Sequence, residues 1–195
     1  MNTKVTNMMM VGVGGQGSLL ASRILGGVAL KLNYDVKASE VHGMSQRGGS
    51  VVTYLKYGEK VYSPVICRGE ADFILAFEQL EALRWLPYLK KNGVIIMSTH
   101  KVNPAPVITG AMEYPKDISK TIENTGIRLI EADAFSLAVQ AGTDKAANVV
   151  IIGILAKLMK DEIDKDIYID VLREQINPRF FDANLAAFNS GYNFI

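Results

Sequence analysis

Asn7-Met8-Met9-Met10-Val11-Gly12-Val13-Gly14-Gly15-Gln16-Gly17-Ser18-Leu19-Leu20-Ala21 is the stretch on which the fold turns. An apolar run too short and too glycine-broken for a buried helix ends in glycines, and a helical pattern starts at once. The segment therefore reads strand, tight turn, helix. Gly12, Gly14 and Gly17 fall on the G-x-G-x-x-G spacing, with Gly15 and Gln16 inside the turn. Glycines at such positions let the chain turn sharply and let a phosphate approach the main chain, and the first N–H groups of the following helix favour an anion. The same glycines would also serve merely to seat a helix on a sheet. A dinucleotide reading wants an acid roughly 20 residues further on to hold a ribose, and both Asp35 and Glu40 qualify.

Working outward, Ala21, Ile24, Leu25, Val28, Ala29 and Leu32 form one apolar helical stripe, with Gly26-Gly27 suggesting a close backbone crossing. A short strand over Val36 to Val41 is expected parallel to the first, completing a right-handed strand-helix-strand unit. Beyond it comes Glu40-Val41-His42-Gly43-Met44-Ser45-Gln46-Arg47-Gly48-Gly49-Ser50, which has neither helical nor strand periodicity. Its order places it at the carboxyl end of the second strand, beside the glycine turn, where open α/β sheets bind ligands. Arg47 suits phosphate or carboxylate, whereas His42 alone proves little. A solvated connector is the plain alternative.

Val51 to Tyr57 alternates as a strand, and Gly58-Glu59 is expected to turn it into a returning partner at Lys60 to Ser63. Buried strands are expected at Ala71 to Phe77, Val94 to Met97 and Ile127 to Ile130. Glu78 to Leu86 should be a helix ended by Pro87, Val107 to Tyr114 an extended edge segment, and Pro115 to Ile122 a helix stopped at Gly126. His100 lies in a loop and reads as a solvated side chain. Helices are expected over Ala132 to Gln140, over Ala146 to Met159 with apolar surface nearly all round, and in a closing pair at Ile167 to Ile176 and Phe181 to Ala187. The implied fold is α/β, a three-layer α/β/α sandwich on a mostly parallel mixed sheet with a β-hairpin and a Rossmann-like N-terminal βαβ unit, one domain over residues 1–195.

Composition narrows the function. Hydrophobic residues make up 49%, and 21 Lys and Arg face 20 Asp and Glu, so nucleic acid and lipid surfaces are not expected partners. The single Cys67 supplies no internal disulfide, iron–sulfur cluster or structural zinc site. A reducing cytoplasm fits, there is no signal-peptide pattern, and no window reaches the roughly 18 apolar residues of a membrane span. No P-loop lysine follows the glycines, and no glycine-framed serine nucleophile, paired metal-spaced histidines or CxxC is present.

The two glycine-bearing segments, Gly12 to Gly17 and Ser39 to Val51, resemble the gamma domain of the 2-oxoacid:ferredoxin oxidoreductases, the second more specifically than the first. The similarity is greatest to the domain type of the indolepyruvate:ferredoxin oxidoreductase beta subunit. It continues through Ala71 to Ser98, Asn148 to Leu155 and Asn184 to Tyr192. The resemblance implies oxidative decarboxylation of a 2-oxo acid to an acyl-CoA, with electrons passed to ferredoxin. It further implies that thiamine diphosphate, magnesium and the iron–sulfur clusters sit on a larger catalytic partner in a hetero-oligomer, since this sequence has neither a Gly-Asp-Gly diphosphate motif nor cluster cysteines. No residue of this chain is then expected to be catalytic or to bind metal. Gly12, Gly14, Gly15, Gln16, Gly17, Glu40, His42, Gly43, Ser45, Gln46 and Arg47 become candidates for contact with coenzyme A, the partner's thiamine site or the partner chain itself. The isolated chain could form a homodimer. A stand-alone NAD(P)-binding domain and a structural interaction module are the alternatives.

Overall fold

The computed structural model describes residues 5–42 and 48–195, His42 by its backbone only. Six strands, β1 (Val5–Val13), β2 (Asp35–His42), β3 (Ser50–Gly58), β4 (Ala71–Ala76), β5 (Leu89–Ser98) and β6 (Arg128–Ala132), form one sheet in the order β2-β3-β1-β4-β5-β6. The helices are α1 (Ser18–Lys31), α2 (Gln79–Trp85), α3 (Ala105–Ile108), α4 (Ile118–Glu123), α5 (Ala134–Gln140), α6 (Ala147–Leu158), α7 (Lys165–Gln175) and α8 (Pro178–Tyr192).

Strand β1 is central because both its faces are apolar. Met8 and Met10 point into a core shared with α1 and α5 to α8, and Met9 and Val11 into a second core shared with α2 and α4. Residues alternate across a strand, so a continuous apolar run demands cover on both sides. That gives the three layers the sequence implies.

The strand pairing departs from expectation in two places. The strand after α1 does run in the direction of β1, but it is not its neighbour: β3 lies between them, antiparallel to both. The sheet is thus mixed, with β4, β5 and β6 parallel on the other side of β1. The hairpin is formed by β2 and β3, not by β3 and Lys60 to Ser63. Both edges of β3 are already hydrogen-bonded, which leaves no place for a further partner, and residues 60–63 form no strand. The Val61 N–H instead donates to the Asp35 carboxylate at 3.0 Å.

Asp35 also accepts from Lys37 Nζ at 2.6 Å and lies 3.6 Å from Lys60 Nζ. These partners, Lys37 first and the Val61 N–H next, hold its pKa down at about 2. A folded-state value below the unfolded one means that the unfolded chain binds more protons, so this contribution is present above the ordinary value of 3.8 and is lost as pH falls through about 2. Asp35→Asn should therefore lower the urea midpoint at neutral pH and flatten its dependence between about pH 4 and 2. An unchanged acid limb would refute the pairing.

The remaining segments follow their local chemistry. Glu78 caps α2, accepting the Glu81 N–H at 2.9 Å, and Pro87 lies in the 3-10 turn that follows. Val107 to Tyr114 is not an extended edge: Pro104 opens the four-residue α3 and turns follow, while β6 occupies the sheet edge. Helix α4 starts at Ile118, later than Pro115, and Gly126 (φ 77°) lies beyond its end. Asn177 caps α8, which extends past Ala187 to Tyr192. Helix α6 is buried without interruption from Asn148 to Ala156, and Gly153 and Gly191 let its backbone touch that of α8. A Cβ on Gly153 would lie 2.8 Å from the Tyr192 nitrogen and overlap the Phe188 carbonyl oxygen, and one on Gly191 would overlap the Val150 carbonyl. Among the described residues no helix is long and apolar enough to cross a membrane.

Candidate functional site

The parallel strands end on one edge of the sheet, and β1 delivers the glycine turn there. Gln16 holds it together. Its Oε1 accepts the Val13 N–H at 2.7 Å, its Nε2 donates to the Phe77 carbonyl at 3.2 Å beyond β4, and its own N–H returns to the Val13 carbonyl at 3.2 Å. Gly12 is required by this arrangement, since a Cβ would lie 2.6 Å from Gln16 Oε1 and 3.2 Å from Phe77 Cβ. Gly17 enters α1 in the left-handed region at φ 81°, which favours glycine. Its carbonyl accepts the Ala21 N–H and the side-chain amide of Asn148, each at 3.0 Å.

A cleft of about 390 Å³ opens at this edge. Gly15, Gln16, Gly17 and Leu20 form one wall, and Phe77 and Ser98 lie at the ends of β4 and β5. The lining is completed by His100, whose ring stacks on Phe135 at 5.7 Å, by Asp144 and Lys145 before α6, and by Asn148 in its first turn, beside Gly17. Asp133 caps α5, and the Ser136 N–H and hydroxyl, with His100 adding a smaller pull, hold its carboxyl below the usual range. The cleft thus joins main-chain polarity from the glycine turn to apolar and aromatic walls and to the Lys145 ammonium. Such a surface suits an anionic group carried on a larger apolar or planar body. Among the described residues no group of three or more metal-ligating side chains occurs.

The residues expected from sequence divide into four groups. Gly15, Gln16 and Gly17 line the cleft, while Gly12 and Gly14 support the turn from behind. The Gly14 N–H donates to the Gly49 carbonyl at 2.9 Å, which joins the turn to the returning end of the second glycine segment. Glu40 is half-buried in β2 opposite Thr53, and His42 ends that strand in register with Val51. Gly43, Ser45, Gln46 and Arg47 lie outside the described residues. Asp35 sits at the start of β2, on the opposite sheet edge, and Glu40 is separated from β1 by a whole strand, about 10 Å at two strand spacings. Neither acid occupies the ribose position of a dinucleotide fold.

His100, Phe135, Lys145 and Asn148 also line the cleft, reaching it from three stretches of chain that share no spacing. Asn148 alone carried a signal, as an amide inside an otherwise apolar helix. His100 is exposed, as expected of a loop residue, but it faces the cleft.

A Rossmann-like α/β domain with a split first unit, a glycine turn and a second glycine-bearing connection on the same edge defines the class. The family model described as pyruvate ferredoxin/flavodoxin oxidoreductase matches residues 7–194, and the chain belongs to that family. It is 40% identical over 191 residues to indolepyruvate oxidoreductase subunit IorB of Thermococcus kodakarensis, covering 96% of this chain and 95% of that one. In fold it is similar to pyruvate oxidoreductase subunit PORC of Thermotoga maritima, with TM-score 0.72, 19% identity and coverage of 97% and 96% of the two chains. The same TM-score relates it to a 2-oxoglutarate:ferredoxin oxidoreductase from Magnetococcus marinus with 2-oxoglutarate, coenzyme A and succinyl-CoA bound, at 16% identity, covering 97% of this chain and 30% of that one.

Proposed function

We propose that this chain is a subunit of a 2-oxoacid:ferredoxin oxidoreductase acting on indolepyruvate or a related 2-oxo acid, and that it shapes the reaction chamber without holding the reactive cofactors. The carrying observation is the end-to-end 40% identity to an indolepyruvate oxidoreductase subunit. Thiamine diphosphate, magnesium and the iron–sulfur clusters belong to a larger partner, which passes electrons to ferredoxin in the cytoplasm. A cluster needs several thiolates, and this sequence offers one cysteine. The task left to this chain is contact: the glycine turn, Lys145 and Arg47 receive the phosphates of coenzyme A, and the apolar side chains of Leu20, Phe77 and Phe135 exclude water. When the two chains combine, the partner's thiazolium supplies the carbon chemistry and this chain orients the acyl acceptor. A dinucleotide-binding role has less support, because the acids that would grip a ribose are misplaced.

Co-expression with the larger subunit is the test. The purified complex should reduce ferredoxin or a viologen in the presence of indolepyruvate and coenzyme A, and the lone chain should not. Oxidation of the keto acid by the lone chain, or saturable micromolar binding of NAD or NADP to it, would overturn the proposal. In the intact complex Arg47→Ala should raise the KM for coenzyme A about tenfold, as loss of one charge-assisted hydrogen bond would. An unchanged KM would remove the phosphate role of Arg47.

A further inference from the structure

Two carboxylates are buried at the start of α2, and they serve different ends. Glu78, 1% exposed, accepts the Val102 N–H at 3.1 Å, the Tyr114 hydroxyl and the Glu81 N–H, and so fastens the chain after β5 to α2. Glu81, 4% exposed, accepts the Trp85 indole N–H at 3.2 Å, Arg84 Nε at 3.0 Å and the hydroxyl of Ser50. A carboxylate so enclosed keeps its place only while its donors do.

Ser50 gives this contact its reach. It is the first residue of β3 and the register partner of Val13, the last residue before the glycine turn. Its neighbour Gly49 accepts the Gly14 N–H. One rung of the sheet is therefore the point where both glycine segments join the scaffold, and Glu81 holds that rung from α2. We infer that Glu81 is a positioning residue: through Ser50 it fixes the separation of the glycine turn from the segment entering β3, and with it the glycine wall of the cleft. This rests on the reading of the cleft as the acyl-acceptor contact.

Ser50→Ala removes the linking hydroxyl with little change in volume, and Ser50→Thr keeps it. In the isolated chain, amide exchange at Gly14 should become about tenfold faster in Ser50→Ala, beyond any general acceleration from the donor lost to the buried Glu81 carboxylate, and Ser50→Thr should retain the protection. Unchanged exchange at Gly14, or acceleration spread evenly over the core amides, overturns the inference. In the complex, Ser50→Ala should raise the KM for coenzyme A severalfold and leave kcat within about twofold. Faster Gly14 exchange with an unchanged KM also overturns it. If the parent complex shows no turnover dependent on coenzyme A, the failure is that of the proposed function, and Gly14 exchange alone decides whether Glu81 positions the rung.

Discussion

Replacing Gly191 with alanine should destabilise the chain by about 3 kcal/mol or more, the upper range for overpacking a core. The new methyl would overlap the Val150 carbonyl oxygen and come within 2.8 Å of its carbon, and both atoms belong to the α6 backbone. No rotamer change relieves a clash with main chain, so α6 and α8 must separate. Gly153→Ala meets the same crossing from the other side. Gly27→Ala is the control, because its Cβ would meet side-chain rather than main-chain atoms, Val171 Cγ1 nearest at 2.8 Å, so a small displacement of Val171 relieves it and alanine's better helix propensity offsets part of the cost. We expect a loss of about 1 kcal/mol there. Urea unfolding of the three variants measures the difference, and equal costs at Gly191 and Gly27 would refute the backbone contact.

Gly17→Ala is expected to have the second largest effect, and to strike the cleft directly. Alanine in the left-handed region costs about 1 to 2 kcal/mol, and its methyl would overlap the Asn148 amide that donates to the Gly17 carbonyl. Relief requires Asn148 to leave, which frees the start of α6 from the glycine turn. The variant should fold with a reduced urea midpoint and, in the complex, lose at least tenfold in kcat/KM for coenzyme A, about 1.4 kcal/mol of transition-state binding. Pairing it with Asn148→Ala separates the causes. The double variant should recover the steric part of the stability loss and little of the kinetic loss. Full kinetic recovery would show that the turn conformation itself is unimportant.

Much of the scaffold was legible because each signal was local. The glycine spacing at the end of Met8 to Val13 marked the first strand, turn and helix, and the apolar runs at Ala71 to Phe77, Val94 to Met97 and Ile127 to Ile130 marked the parallel strands, which the structure places at Ala71–Ala76, Leu89–Ser98 and Arg128–Ala132. Gly26-Gly27 suggested a close backbone crossing, but Gly27 faces the Val171 side chain of α7 and Gly26 those of Leu55 and Val36, whereas the backbone crossing lies at Gly153 and Gly191. Neighbourhood was not legible. Alternation over Val51 to Tyr57 identifies a strand but not its partners, so the insertion of β3 between β1 and β2 and the absence of a strand at 60–63 could not be read. Val107 to Tyr114 misled because a short apolar run beside prolines has no period of its own. The cleft was half visible: the glycine turn is contiguous in sequence, whereas His100 after β5, Phe135 in α5 and Lys145 before α6 meet only through folding.

The insertion of β3 also bears on protein engineering. In dinucleotide enzymes, cofactor preference is commonly exchanged by swapping the acid at the end of the second strand for a basic residue, because that position borders the adenosine ribose. Here the corresponding carboxylates stand at the far edge or one full strand away. The exchange has no purchase on this scaffold, and redesign for a new nucleotide ligand must begin from the His100, Phe135 and Lys145 side of the opening.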